Sequence, residues 1–280
     1  MSKTGRSLTV AVRRSHGRPY FETASSAILL KTGLQHDWQH MKLSLILIVT
    51  CWLAAAVNAA EPPQPTSRSA RELEGWTIRV DDRLLGDAPD AALGAKALRF
   101  LEAKLVEIKA VVPAERVKDL QEVTIVLDLS CGKLGSMQYH PDAGWLKANG
   151  FPTDLAKCVH LPRAADVQTR RNINEQPWVI LHELAHAYHD QKLSFDEPRI
   201  KAAHEKFKES GHGEAALLYN GKRVKHYGLT NQKEFFAEMT ESFFGVNDFF
   251  PFNRAELQEA EPELFQLLTE IWITPKKPEE

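Results

Sequence analysis

Across residues 91–112 the apolar positions 93, 97, 98, 101, 105, 108 and 111 or 112 recur at intervals of three and four. That period lines one face of an α-helix, and Pro113 ends it. The alternation from Trp76 to Val80 predicts one strand, and the β-branched run Val123-Thr124-Ile125-Val126-Leu127 a second, buried one. From 131 to 176 the pattern dissolves into loops, with a short helix over 142–148 and a strand over 157–161. Residues 178–188 are apolar on several sides of a helical wheel, at Trp178, Val179, Ile180, Leu181, Leu184, Ala185 and Tyr188, so this helix is predicted to be buried. Residues 196–210 are densely charged and read as a solvated surface helix, with His204 and His212 facing water. Asn220-Gly221 centres a hairpin over 217–224. Thr230 or Asn231 caps a helix over 232–244, and two closing helices over 254–260 and 263–272 pack Leu257, Leu264, Leu267, Leu268 and Ile271. Helices thus outnumber strands in a mixed, α+β chain.

The N-terminal region follows another logic. Met41-Lys42 and an apolar run over 43–57 read as a signal peptide, and Val57-Asn58-Ala59 places small residues for cleavage before Ala60. The run is short of the roughly 20 residues a span needs, although an uncleaved anchor is the other reading. A lipoprotein box at Ile48-Val49-Thr50-Cys51 ranks lower, because Thr50 fits poorly before the cysteine. Residues 1–40 have no sustained apolar period, and signal peptides seldom start so late. The expectation is a start at Met41, with 1–40 a disordered leader or a mis-assigned start. A Pro-rich linker over 60–74, a domain over 75–272 and a tail over 273–280 complete the division, which places the protein in the cell envelope, the periplasm or outside the cell.

Charge narrows the partners. The chain of 280 residues carries 35 Lys and Arg against 37 Asp and Glu. The first 59 residues hold 7 basic and 2 acidic of these, leaving 28 basic and 35 acidic, a net charge of about −7. A domain that acidic is not built to grip phosphate backbones, so nucleic acid is excluded as a partner. With Cys51 removed alongside the signal, Cys131 and Cys158 remain. In an exported protein they would form a disulfide; two buried thiols are the alternative.

The chemistry concentrates in His182-Glu183-Leu184-Ala185-His186. Residues four apart share a helix face, so the two imidazoles aim at a common point with Glu183 beside them. Such a pair can hold one zinc ion, and the carboxylate can take a proton from a water acidified by the metal. Buried histidines next to a buried carboxylate need a partner to offset desolvation, and a metal supplies one. Catalytic zinc wants a third protein ligand. His189, at i+7, lies about 10 Å along the axis from His182 at 1.5 Å per residue, too far to return to the ion, so it is placed beside the site or at the surface. The helix over 232–244 offers Glu234, Glu238 and Glu241 at i, i+4 and i+7; one carboxylate would coordinate and another orient a histidine, and spacing alone does not say which.

His182-Glu183-x-x-His186-Ala187, then Tyr227, then seven residues later Glu234-Phe235-Phe236-Ala237-Glu238, resembles the anthrax lethal factor C-terminal-like zinc metallopeptidases, an HExxH, gluzincin-type family that includes the Pro-Pro endopeptidases. The matched span is about residues 178 to 245. The resemblance implies a zincin-like fold, ligands His182, His186 and Glu234, Glu183 as general base and Tyr227 facing the substrate carbonyl, with Glu238 supporting a ligand histidine. It further implies an edge strand ahead of the active helix that receives peptide by backbone pairing. The segment Cys158 to Leu161, with His160 against substrate, is the one that fits, although an ordinary edge strand would read the same. The expectation is an exported zinc endopeptidase acting on a peptide or protein. The alternatives are a metallopeptidase-like binding module that no longer cuts and a zinc hydrolase of a non-peptide amide.

Overall fold

The computed structural model describes residues 61–275. The leader, the signal peptide, Cys51 and the last five residues lie outside them. Among the described residues no helix is long and apolar enough to cross a membrane.

Five strands form one mixed sheet: β1 (Arg68–Leu73), β2 (Trp76–Asp81), β3 (Ile125–Leu127), β4 (Gln138–Tyr139) and β5 (Val159–Leu161), in the spatial order β1-β2-β3-β5-β4. The three inner strands run parallel, and each edge strand is antiparallel to its neighbour. Parallel neighbours need crossovers. The β2-to-β3 crossover carries α1 (Ala91–Val111) and α2 (Ala114–Gln121). α1 follows its predicted period, burying Ala97, Leu101, Leu105 and Ile108.

Two elements depart from the sequence reading. β1 lies inside the range expected to be linker. Its pattern is exposed along most of its length, so no alternation marks it, and it exists because Arg68 to Leu73 pairs residue by residue with Asp81 to Trp76. The Arg68 guanidinium also forks onto both oxygens of fully buried Asp128, at 2.7 and 2.8 Å. The second departure concerns β5. The strand expected to be the edge, Val159–Leu161, is interior, and the two-residue β4 is the true edge.

α3 (Ala143–Ala148) forms where a short helix is expected, with Asp142, read as its first residue, serving as its cap. α4 (Val179–Tyr188) is buried along its whole length, and α5 (Pro198–Ser210), α6 (Gln232–Phe244), α7 (Arg254–Ala260) and α8 (Pro262–Trp272) follow. α4 lies against α6 on one side and against β4 and β5 on the other. Trp272 of α8 stacks on Tyr188 at 4.4 Å and on Phe236 at 5.8 Å, tying the C-terminal end of α4 to the first half of α6. The Asn-Gly hairpin forms from β6 (Ala216–Leu217) and β7 (Arg223–Val224), with Gly221 at φ +84° in its connection.

Cys131 and Cys158 are free thiols, not a disulfide. They belong to a small apolar cluster with Val126, Leu134, Leu146 and Leu155, where burial pushes the Cys131 thiol up to about 12. His204, expected at the surface, is buried against Phe235, since the charged α5 still turns Ile200, His204 and Phe207 inward. His212 is exposed and bonds Glu261 at 2.6 Å.

Candidate metal centre

α4 carries His182 and His186 one turn apart, their rings edge to face with centroids 4.7 Å apart. α6 begins at Asn231, whose side-chain oxygen accepts from the N–H groups of Lys233 and Glu234. That cap fixes the first turn and with it Glu234. Glu234 Oε2 stands 3.3 Å from His182 Nε2 and 3.3 Å from His186 Nε2. For a charged hydrogen bond that is long. A tetrahedron whose vertices lie about 2.0 Å from its centre, as zinc-ligand nitrogens and oxygens do, has edges of about 3.3 Å. Two buried imidazoles and one carboxylate, converging from two helices, therefore fit a metal ion in donor type and in spacing.

By themselves these groups hold one another in their charged forms, and binding a metal would require His182 to give up its proton. Burial opposes charge on His182, but hydrogen bonding to Glu234 and Glu241 outweighs it and holds the imidazole's pKa well above its ordinary value. Burial likewise opposes charge on Glu234, and the two imidazoles overcome it, holding the carboxyl far below the usual carboxylate range.

Glu183 points the other way along α4, toward the sheet. Its Oε2 accepts from the main-chain N–H of Tyr139 at 2.7 Å, so the edge strand holds the carboxylate in place. Burial raises its pKa, against the pull of His182 and His186. β4 is itself anchored: Tyr139 Oη donates to Asp190 at 2.6 Å, and Lys157 pairs with the same carboxylate. His140, next along, pairs its N–H and C=O with β5 and its flank, at Cys158 O and Lys157 N. Strand alternation then turns the N–H and C=O of Tyr139 and Met137 outward. Glu183 takes the Tyr139 N–H, and Met137 and Tyr139 both line the cleft.

That cleft, about 900 Å³, runs between β4 and its flanks on one wall and Tyr227, Asn231, Lys233 and Phe249 on the other, with His182, Glu183, His186, Glu234 and Glu238 at its floor. Tyr227 sits on a 3-10 turn, half exposed at 48 %; burial of its ring and the nearby Glu234 raise its pKa, which keeps the hydroxyl protonated.

Three sequence assignments change. His160 is fully buried and does not line the cleft: its Nε2 meets Asp128 at 2.9 Å and its Nδ1 meets His140 at 3.1 Å, an interior position that follows from β5 being central. His189 is neither at the surface nor at the metal set; it is buried between Phe195 and Phe236, because a π-turn (His189–Leu193) carries it under α6. The carboxylate hydrogen-bonded to a ligand histidine is Glu241, at 2.7 Å from His182 Nδ1, whereas Glu238 Oε1 is 3.7 Å away. At 100° per residue Glu241 returns to within about 20° of Glu234 on the wheel, against about 40° for Glu238; this spacing was visible in the sequence. The group Asp128, Cys131 and His160 also clusters, but the Arg68 fork and His160 already occupy the Asp128 oxygens.

Sequence reasoning missed Tyr139, whose contribution is a main-chain N–H and leaves no residue-type signal. No family model, no curated protein and no solved structure matches the chain.

Proposed function

We propose that the chain is an exported zinc-dependent endopeptidase with a zincin-like catalytic domain. The observation that carries this reading is the single Glu234 oxygen equidistant, at 3.3 Å, from the Nε2 atoms of His182 and His186, beside a buried Glu183 held by an edge strand. His182, His186 and Glu234 would hold one zinc ion. When bound, the ion supplies the Lewis acidity that lowers the pKa of water and polarises a carbonyl.

The rest is done by the chain's own groups. An extended peptide pairs with the outward groups of Met137 and Tyr139, which lays its backbone along the cleft. Glu183 spends one carboxylate oxygen on Tyr139, leaving the other to take a proton from the attacking water and pass it to the departing amine. Tyr227, on the opposite lip, donates its hydroxyl to the oxygen on which negative charge develops. The resemblance of the two helix motifs and Tyr227 to the lethal factor-like metallopeptidases supports the same roles. Export rests on the signal-like run at 43–57.

The test is Glu183→Gln assayed on a quenched peptide library with zinc counted in parallel. Zinc content is expected to stay at one per chain while cleavage falls by about 10² to 10⁴, the usual contribution of a general base. An unchanged rate removes Glu183 from the reaction, and a zinc-loaded wild-type chain that cleaves no peptide in the library overturns the peptidase reading.

A further inference from the structure

One cation on the wall of the cleft has no carboxylate to answer it. Three line that cleft: Arg163, Arg171 and Lys233. Arg163 pairs with Asp166 at 2.6 Å and donates to the Gly135 carbonyl at 2.9 Å. Arg171 donates to Gln176 Oε1 at 3.3 Å and lies in the field of Asp248. Among the described residues the Lys233 ammonium makes neither an ion pair nor a hydrogen bond, which leaves its N–H donors free for a ligand. Asp196, whose field it shares, pairs instead with Lys201.

The ammonium is nevertheless held in place. Nζ stands over the Phe195 ring, 4.2 Å from its centroid, a cation–π contact. Phe195 is fixed in turn: its ring meets that of buried His189 edge to face at 5.2 Å, and Gln232 Nε2 donates to its main-chain oxygen at 3.4 Å. The Asn231 cap that sets Glu234 also accepts the Lys233 N–H, so the first turn of α6 places both. Phe195 lines the same cleft. An ammonium ordered before a ligand arrives loses less side-chain freedom on binding it, and the ring beside it offers apolar surface to a ligand's methylenes. A single point charge against an apolar face matches one carboxylate on a short aliphatic stem, the form of Glu and Asp side chains.

We propose that Lys233 and Phe195 form a subsite that selects an acidic side chain in the peptide laid along β4, near the bond to be cut. Its place follows from the chain, since Lys233 directly precedes Glu234 of the metal set. The proposal rests on the peptidase reading and names the class of substrate, an acidic peptide. The domain's net charge of about −7 opposes such a peptide. That field is screened within about 8 Å at physiological salt, whereas a carboxylate on Nζ is in direct contact.

The test uses peptides blocked at both ends, so that only a side chain can supply the carboxylate, with Glu or Gln placed in turn at each position flanking the cleaved bond. The zinc-loaded wild-type chain is expected to favour Glu over Gln at one position by about tenfold in kcat/KM, the low end for a charged hydrogen bond. Lys233→Met, which keeps an aliphatic stem for Phe195, is expected to bring that ratio close to one, and Lys233→Arg to retain it. The same ratio, read as peptide affinity on the Glu183→Gln chain, separates binding from turnover. The proposal is overturned by equal values for Glu and Gln at every position, or by a preference that survives in Lys233→Met. Cleavage without the preference sinks this proposal alone; Lys233-dependent preference in binding by a chain that cleaves nothing sinks the peptidase reading alone.

Discussion

Two glutamates one above the other on α6 hold His182 by opposite nitrogens: Glu234 at Nε2, where the metal set converges, and Glu241 at Nδ1. A carboxylate behind a ligand histidine fixes its tautomer and ring orientation. Removing each should therefore read differently. Glu234→Ala is expected to abolish stoichiometric zinc, and Glu241→Gln to weaken zinc by about 10- to 100-fold. Glu238→Ala, whose oxygen is 3.7 Å from the ring, is expected to have the smallest effect of the three. Competition with a graded chelator measures all three, and a reversed order of Glu234 and Glu238 would overturn the ligand assignment. Tyr227→Phe is expected to slow turnover by about 10² or more, the cost of one oxyanion donor, with metal content unaltered. The spacing of His182 and His186 in the sequence was enough to pick them out, and Glu234 and Tyr227 came through the resemblance alone; the exchange between Glu238 and Glu241 also turns on the angle at which α6 crosses α4.

Helices with a clear apolar period or a capping residue, α1 and α6 above all, were legible nearly to their ends, since period and cap are local properties. The edge strands were not. β4 is two residues long and β1 mostly exposed, so neither carries an alternation, and both exist through pairing with distant chain. A helix can also conceal its constraint. Gly94, in the first turns of α1, looks like a place where alanine would add about 1 kcal/mol of helix propensity. A Cβ there would sit 2.1 Å from the Leu84 carbonyl oxygen and 2.7 Å from its Cβ. Gly94→Ala is therefore expected to destabilise by about 1–3 kcal/mol, the range for overpacking, as read by urea unfolding; a gain in stability would mean that α1 and the turn before it do not pack as described.

Among the described residues five buried imidazoles have their charge suppressed by burial: His140, His160, His189, His204 and His226. Burial brings His140, beside His160, to about 4, and His189 and His226 to about 4 as well. An unfolded chain returns each to its ordinary value near 6.5. Between these values the unfolded chain binds more protons than the folded one, so stability rises with pH across that window. The contribution is complete above about 6.5 and is lost as pH falls toward 4. Asp128, held low by Arg68 and His160 against the opposing effect of burial, adds a loss of the same sign at still lower pH. The raised pKa values of His182, Glu183, Glu238 and Asp248 act with the opposite sign, so the test follows each ring by itself: NMR of chelator-treated protein is expected to show His140, His189 and His226 neutral down to about pH 4. A ring that charges near its ordinary value is not buried as a neutral group.

The sequence by itself determined what a helix face or a cap can encode: two imidazoles and a carboxylate on one buried rod, and a second rod starting at Asn231 that presents three glutamates. The resemblance added the role of Tyr227 and a choice among those glutamates. Only the tertiary structure decided which carboxylate meets which nitrogen, which strand is the sheet's edge, that His160 lies inside it, and that Cys131 and Cys158 stay reduced in an apolar cluster. Those outcomes depend on how elements far apart in the chain approach one another. No local period records a crossing angle or the direction of a main-chain N–H such as that of Tyr139.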